Sequence, residues 1–222
     1  MEISTSHKLI FIHIQRTGGA SITTGLRPLW TGKKNANKLA NTGTKLGLIR
    51  NPERVRFSAH DTLAFIQRRL PKEIFDSYLK FAFVRNPYSW LTSMYCTYKR
   101  GPNHRHHPKV AAMSGFPEYI DWEIARKKRY QDIFLLDKHG KININFVGRI
   151  EQIAEDYQRL CQRIDYQGAE LPHTNRHRFT DYREFYDAET REKVAHFWKR
   201  DLDLLGYDFE GNRLPCPLDA II

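Results

Sequence analysis

Apolar residues fall in three short unbroken blocks separated by amphipathic stretches. Lys8-Leu9-Ile10-Phe11-Ile12-His13-Ile14, Lys80-Phe81-Ala82-Phe83-Val84 and Asn145-Phe146-Val147-Gly148 are each apolar at consecutive positions. That pattern predicts buried strands of a parallel sheet covered on both faces. Arg54-Val55-Arg56-Phe57-Ser58-Ala59-His60 instead alternates, which predicts a strand with Val55, Phe57 and Ala59 inward and His60 at its carboxyl end. Between these blocks the period lengthens to that of helices. One is expected after Ser21 as far as Pro28, one over Thr62 to Leu70, and one from Asn86-Pro87 to Tyr98, with Asn86 as N-cap and Pro87 in the first turn. Ile150, Ile153, Tyr157, Leu160, Cys161 and Ile164 recur on one helical face. Asp187 caps a last expected helix bearing Val194, Trp198, Leu202 and Leu205, with Gly206 placed to stop it. Thr31 to Gly47 is polar and reads as a surface loop.

Strands alternating with helices predict an α/β fold: a three-layer sandwich with a central, mostly parallel sheet flanked by helices. No repeat or low-complexity linker interrupts residues 1–222, so a single domain is expected. Such sheets bind ligands at the carboxyl ends of their strands. The unusual residues fall there.

The first candidate is Arg16-Thr17-Gly18-Gly19-Ala20-Ser21, between a strand and a helix. Adjacent glycines let main-chain N–H groups approach an anion, and a helix N-terminus adds positive potential. Thr17 and Ser21 offer hydroxyls, and Arg16 a cation. A bare strand–helix turn needs glycine too, and that reading stands beside the phosphate one. The loop lacks the G-x-x-x-x-G-K-[ST] spacing of a Walker A motif, and no acid is placed as a magnesium ligand. Phosphoryl transfer generally relies on a metal, so a cationic loop without that motif leans toward sulfuryl transfer. The second candidate is Arg85, just past a buried strand, with Ser93 two helical turns on. An arginine and a hydroxyl can clamp a second phosphate, or serve merely as a cap and a solvated side chain.

Together these segments resemble the paired nucleotide-binding motifs of the sulfotransferases that use 3′-phosphoadenosine 5′-phosphosulfate, nearest the Golgi-type carbohydrate branch and its bacterial relatives. The resemblance runs from Phe11-Ile12-His13-Ile14-Gln15-Arg16-Thr17-Gly18-Gly19-Ala20-Ser21 through Phe83-Val84-Arg85-Asn86-Pro87-Tyr88 and Phe146-Val147-Gly148-Arg149-Ile150-Glu151. It continues in Leu171-Pro172-His173-Thr174-Asn175 and in Phe185-Tyr186-Asp187 through Leu205-Gly206-Tyr207-Asp208. It implies a P-loop-like sheet and a metal-free reaction that releases 3′-phosphoadenosine 5′-phosphate. By the same resemblance, Arg16, Thr17, Gly18, Gly19, Ala20 and Ser21 surround the 5′-phosphosulfate, and Arg85 and Ser93 hold the 3′-phosphate. Asn175, Arg176 and Arg178 lie on a lid over the nucleotide, and the acceptor is a hydroxyl-bearing molecule, an anionic or neutral glycan. Two positions depart from the family: Arg16 stands where lysine is usual, and Trp90 where another arginine often lies. Trp90 either packs adenosine or belongs to the core.

The acceptor hydroxyl needs a base tuned near working pH. His60 is the candidate, because a His or Glu acts near this point in the carbohydrate branch. Asp61 is a weaker one, an ordinary carboxylate being a poor base at neutral pH. His13 reads as a buried structural histidine. His104, Arg105, His106 and His107, beside Lys99 and Arg100, make a basic loop that is solvated, contacts an anionic acceptor, or less readily binds metal.

Composition narrows the partners rather than the fold. Lys and Arg number 36 against 25 acids, a net charge of +11 that favours anionic ligands. A polyanion-binding module for glycan or nucleic acid would share that charge, and a metal-dependent P-loop kinase would share the fold. Aromatic RNA-binding signatures and zinc patterns are missing, which counts against nucleic acid. Cys96, Cys161 and Cys216 are too few and scattered for a disulfide framework, and Cys161 falls on an apolar helix face, as in a reducing compartment. The apolar run Leu9 to Ile14 is far shorter than the ~20 residues that span a bilayer. A soluble cytoplasmic protein is expected, or a Golgi-lumenal one were this part of a longer eukaryotic chain.

Overall fold

The computed structural model describes residues 1–30, 57–127, 130–168, 171 and 181–221. One sheet runs in the order β1 (Glu2–Ser4), β2 (Leu9–Ile12), β3 (Leu79–Val84), β4 (Phe146–Arg149). The helices are α1 (Gly19–Gly25), α2 (Leu63–Arg69), α3 (Lys72–Ser77), α4 (Pro87–Arg100), α5 (His107–Ala111), α6 (Phe116–Arg126), α7 (Ile153–Arg163), α8 (Ala188–Phe197) and α9 (Lys199–Leu205). The three apolar blocks are the three mutually parallel strands β2, β3 and β4, and β1 adds an antiparallel edge. With three residues, β1 is too short to reveal a period. The fold is therefore the expected α/β one, a mostly parallel central sheet flanked by helices. Among the described residues, no helix is long and apolar enough to cross a membrane.

Register sets the site's position. Ile12 pairs with Ala82, Ala82 with Val147, and Val84 with Arg149. The carboxyl ends of the parallel strands thus share one edge, and the loop of residues 13–18 and the Arg149 turn leave from it.

Cα proximity divides the chain into two compact units. The first is Met1–Val84, Ile133–Asn175 and Ile221–Ile222, the second Arg85–Asp132 and Arg176–Ala220. In the first, Leu9, Phe11, Phe81, Phe83 and Phe146 of the sheet pack with Ile22 of α1 and with Tyr157, Leu160 and Cys161 of α7. Lys80 is buried in this strand layer, its Nζ donating to the carbonyls of Phe75 and Tyr78 at 3.0 Å each. Residues 57–60 form no strand. They turn, with Ser58 N–H bonded to Asp61 Oδ2 at 2.7 Å, so the strand expected over 54–60 is absent from its described part. Residues 54–56, and the loop expected over 31–47, lie outside the described residues.

The second unit is built on α4. Asn86 Oδ1 caps it by accepting from Tyr88 N at 2.9 Å. Tyr88, Trp90, Met94 and Tyr98 of α4 pack with Phe116 and Tyr119 of α6 and with Trp198. Trp90 is thus a core residue of this unit. The last expected helix is two helices, because the backbone leaves helical geometry at Trp198 (φ −98°, ψ 18°). Its ends are as expected: Asp187 Oδ1 accepts from Thr190 N at 2.7 Å, and Gly206 stops it at φ 66°.

Beyond the break, α9 buries Asp201. Its carboxylate accepts from Gln131 N at 2.7 Å and from Asp132 N at 2.9 Å, while Arg200 pairs with Asp132. Burial pushes the Asp201 carboxyl up to about 7, opposed by the two amides and by Arg200, and aided by the charge of Asp132. The native state therefore keeps this proton in a window, roughly pH 4 to 7, where the unfolded chain has released it. The contribution to stability is full below that window and is lost as pH rises through about 7. We expect the stability difference between wild type and Asp201→Asn to shift against wild type from pH 5 to pH 8. Urea denaturation at each pH measures it, and a pH-independent difference would contradict the assignment.

Candidate functional site

The loop after β2 has an unusual backbone. Arg16 takes φ 62° and Gly18 φ 84°. Glycine accepts this left-handed region freely, whereas a side chain there costs about 1–2 kcal/mol. Thr17 is fully buried and its hydroxyl donates to the Ile14 carbonyl at 3.0 Å, closing the turn. A Cβ at Gly18 would lie 2.4 Å from Ile153 Cδ1, and one at Gly19 would lie 1.8 Å from His13 Nε2. The left-handed backbone at Gly18 and the buried His13 ring at Gly19 thus favour glycine at both, as in a bare turn. The case for an anion rests on the rest of the loop. Helix α1 has no side-chain cap, and its ladder starts with Ile22 N bonded to Gly18 O at 3.1 Å. The amides of Gly19, Ala20 and Ser21 precede that ladder at the positive end of the helix. Ala20 is exposed there, and Arg16 and Ser21 are half-buried.

His13 and His60 meet beside this loop. The His13 ring stacks on Phe11 (centroids 5.5 Å apart) and meets the His60 ring edge-on at 4.8 Å. Burial, then the neighbouring His60, pushes the His13 imidazole down to about 3, so it is neutral at physiological pH. His60 Nδ1 lies 2.9 Å from the His13 carbonyl. A carbonyl only accepts, so Nδ1 carries the proton and the lone pair of the neutral ring is on Nε2. His60 is held by a turn and by His13, not by the strand expected to present it. Asp61, in the same turn, is engaged by Ser58 N.

The turn after β4 packs against the loop through Ile150 and Ile153 at Gly18. Asp156 closes that turn, accepting from Arg149 N at 2.5 Å and Gln152 Nε2 at 2.9 Å and pairing with Arg159. Arg149 itself is buried at the carboxyl end of β4. Sequence reasoning gave neither Arg149 nor Asp156 a role. A buried arginine ending a strand has no periodic signature.

In the second unit, Arg85 Nε donates to Ser89 Oγ at 2.9 Å. Ser89 and Ser93 follow at four-residue spacing on one face of α4, and Ser93 is fully buried. Gln131 was also missed. Its Oε1 accepts from Arg85 N at 3.0 Å and its Nε2 donates to Arg85 O at 2.8 Å. The pair is 46 residues apart. No local pattern could reveal it.

The basic loop is more ordered than its composition suggested. His104 stacks on Tyr98 at 4.3 Å, His106 meets Trp122 edge-on at 5.4 Å, and His107 Nδ1 bonds to Tyr98 O at 2.9 Å. His106 Nε2 accepts from Arg105 Nε at 3.1 Å and lies 3.3 Å from Arg126 Nη2, so arginines occupy the position a metal would need. The structure thus brings loop 16–21 and His60 together through His13. Asn175, Arg176 and Arg178 lie outside the described residues.

Residues 1–208 match the sequence pattern described as the Sulfotransferase family. The chain is also 30% identical over 103 residues to an uncharacterized protein of Archaeoglobus fulgidus, an alignment covering 45% of this chain and 78% of that one. The family match supports sulfuryl transfer to an acceptor hydroxyl in general terms, for which the family generally uses 3′-phosphoadenosine 5′-phosphosulfate. Spanning nearly the whole sequence, it means that this chain belongs to the sulfotransferase family.

Proposed function

We propose that the protein transfers the sulfuryl group of 3′-phosphoadenosine 5′-phosphosulfate to a hydroxyl of a carbohydrate acceptor, in line and without a metal. The observation that carries this reading is the cluster at the first unit's carboxyl edge. There a cationic loop, the start of α1 and a histidine with its lone pair on Nε2 are held together by His13. Arg16 and the main chain of Gly18, Gly19, Ala20 and Ser21 stabilise charge around the 5′-phosphosulfate, with Thr17 closing the loop. Arg85 and Ser93 hold the 3′-phosphate, and Asn175 and Arg176 cover the nucleotide. His60 Nε2 takes the proton of the acceptor hydroxyl as its oxygen bonds to sulfur. The bond from sulfur to the bridging oxygen breaks, and that electron pair leaves on the 5′-phosphate. Fixed donors aimed at this developing charge supply most of the rate. The net charge of +11 suits an anionic nucleotide, and an anionic glycan as well.

Calorimetric titration with 3′-phosphoadenosine 5′-phosphate, against adenosine 5′-monophosphate and with no added metal, tests the nucleotide site. Micromolar binding that requires the 3′-phosphate is expected. Equal weak binding of both would end the reading in favour of a polyanion-binding module, whose affinity would fall steeply with salt. Arg16→Ala should lower the transfer rate by about 10²-fold while changing product-nucleotide affinity far less, as for a transition-state contact. Equal losses would remove that role from Arg16. His60→Ala should cost about 10²–10⁴ in kcat at unchanged nucleotide affinity, and a variant with wild-type kcat would rule His60 out as the base.

A further inference from the structure

We infer that Gln131 is a positioning residue for Arg85, and that Asp201 holds Gln131 in that role. The inference rests on the reading of Arg85 as the 3′-phosphate ligand. One amide side chain serves both polar groups of the Arg85 main chain, accepting from its N–H at 3.0 Å and donating to its carbonyl at 2.8 Å. Two bonds to the main chain of one residue hold its backbone and hence the Cα–Cβ bond from which its side chain departs. The guanidinium is tied in turn, through Nε, to Ser89 Oγ on the α4 face that carries Ser93.

Gln131 is itself immobilised. It is fully buried, and its N–H and that of Asp132 both go to the Asp201 carboxylate. The two Asp201 oxygens each accept from one of the consecutive amides, whereas an asparagine side chain has a single oxygen and an NH2 donor in the second place. The groups facing Asp201 are Asp132, Arg200 and Tyr130, and burial disfavours its charge. An apolar side chain at 201 would leave the buried N–H groups of Gln131 and Asp132 without an acceptor. Holding the Gln131 segment in one register accounts for the acid.

The test compares wild type, Gln131→Met and Gln131→Glu by calorimetry with 3′-phosphoadenosine 5′-phosphate and adenosine 5′-monophosphate, alongside Tm. Methionine keeps the volume and loses both bonds. Glutamate, protonated in this fully buried site, can still accept from Arg85 N–H and donate to its carbonyl, so it is the milder variant should methionine prevent folding. The wild-type preference for the 3′-phosphate should fall about tenfold in Gln131→Met, equal to ~1.4 kcal/mol, and less in Gln131→Glu. Adenosine 5′-monophosphate affinity should stay within about twofold, as only one charge-assisted contact is disturbed. In an Arg85→Ala background, Gln131→Glu should leave the preference unchanged. A lowered Tm with full preference would make Gln131 merely structural and overturn this inference alone. A wild type with no preference would overturn the reading of Arg85 and this inference with it.

Discussion

The His13 imidazole stands where a side chain at residue 19 would have to go, with Nε2 1.8 Å from the position of its Cβ. Much of the first unit's functional edge follows from that contact. The ring is fixed from the other side by Phe11, which belongs to the buried strand β2. The sheet thus sets the ring, the ring sets how closely α1 begins, and the His13 carbonyl sets the tautomer of His60. Burial keeps the ring neutral, so it shapes the loop without adding charge. A larger residue at 19, or a charged ring at 13, would disturb loop 16–21 and His60 together.

The sheet was legible because parallel strands are apolar on both faces, and β2, β3 and β4 are unbroken apolar runs. The α4 start was equally legible, since Asn86-Pro87 is a local signal and the cap is made locally. Over 57–60, the described part of the expected strand, alternation over few residues proves to be a turn, with Ser58 N–H bonded to Asp61. The helix break at Trp198 gave no warning, as the apolar period continues through it while burial of Asp201 governs the second segment. His60 was expected at the carboxyl end of a strand, whereas it lies in a turn and meets the loop through His13. Arg149 and Gln131 were invisible because their contacts join residues with no shared local pattern.

Polar groups are buried deliberately in both units, and their acceptors are main-chain-directed. Asp201 takes two amides, Asp156 takes the amide of Arg149, and Gln131 takes both groups of Arg85. Each ties down a segment next to a candidate ligand residue. A hydrogen bond contributes about 1 kcal/mol net, yet leaving a buried partner unmatched costs more. These side chains therefore select one loop conformation more than they add stability.

The arginine at position 16 takes on particular weight in that setting. In the proposed transfer the 5′-phosphate gains charge as the sulfur–oxygen bond breaks, and loop 16–21 would have to meet it. His13 is neutral, and the Thr17 hydroxyl is turned back to Ile14. The loop then offers the positive end of α1, the Ser21 hydroxyl and the guanidinium of Arg16. A lysine would offer a compact charge to one oxygen, whereas the planar fork of arginine spans two. Arg16 carries that fork on a left-handed backbone at φ 62°, a region that Lys8, Lys127 and Asp165 also adopt elsewhere in the chain.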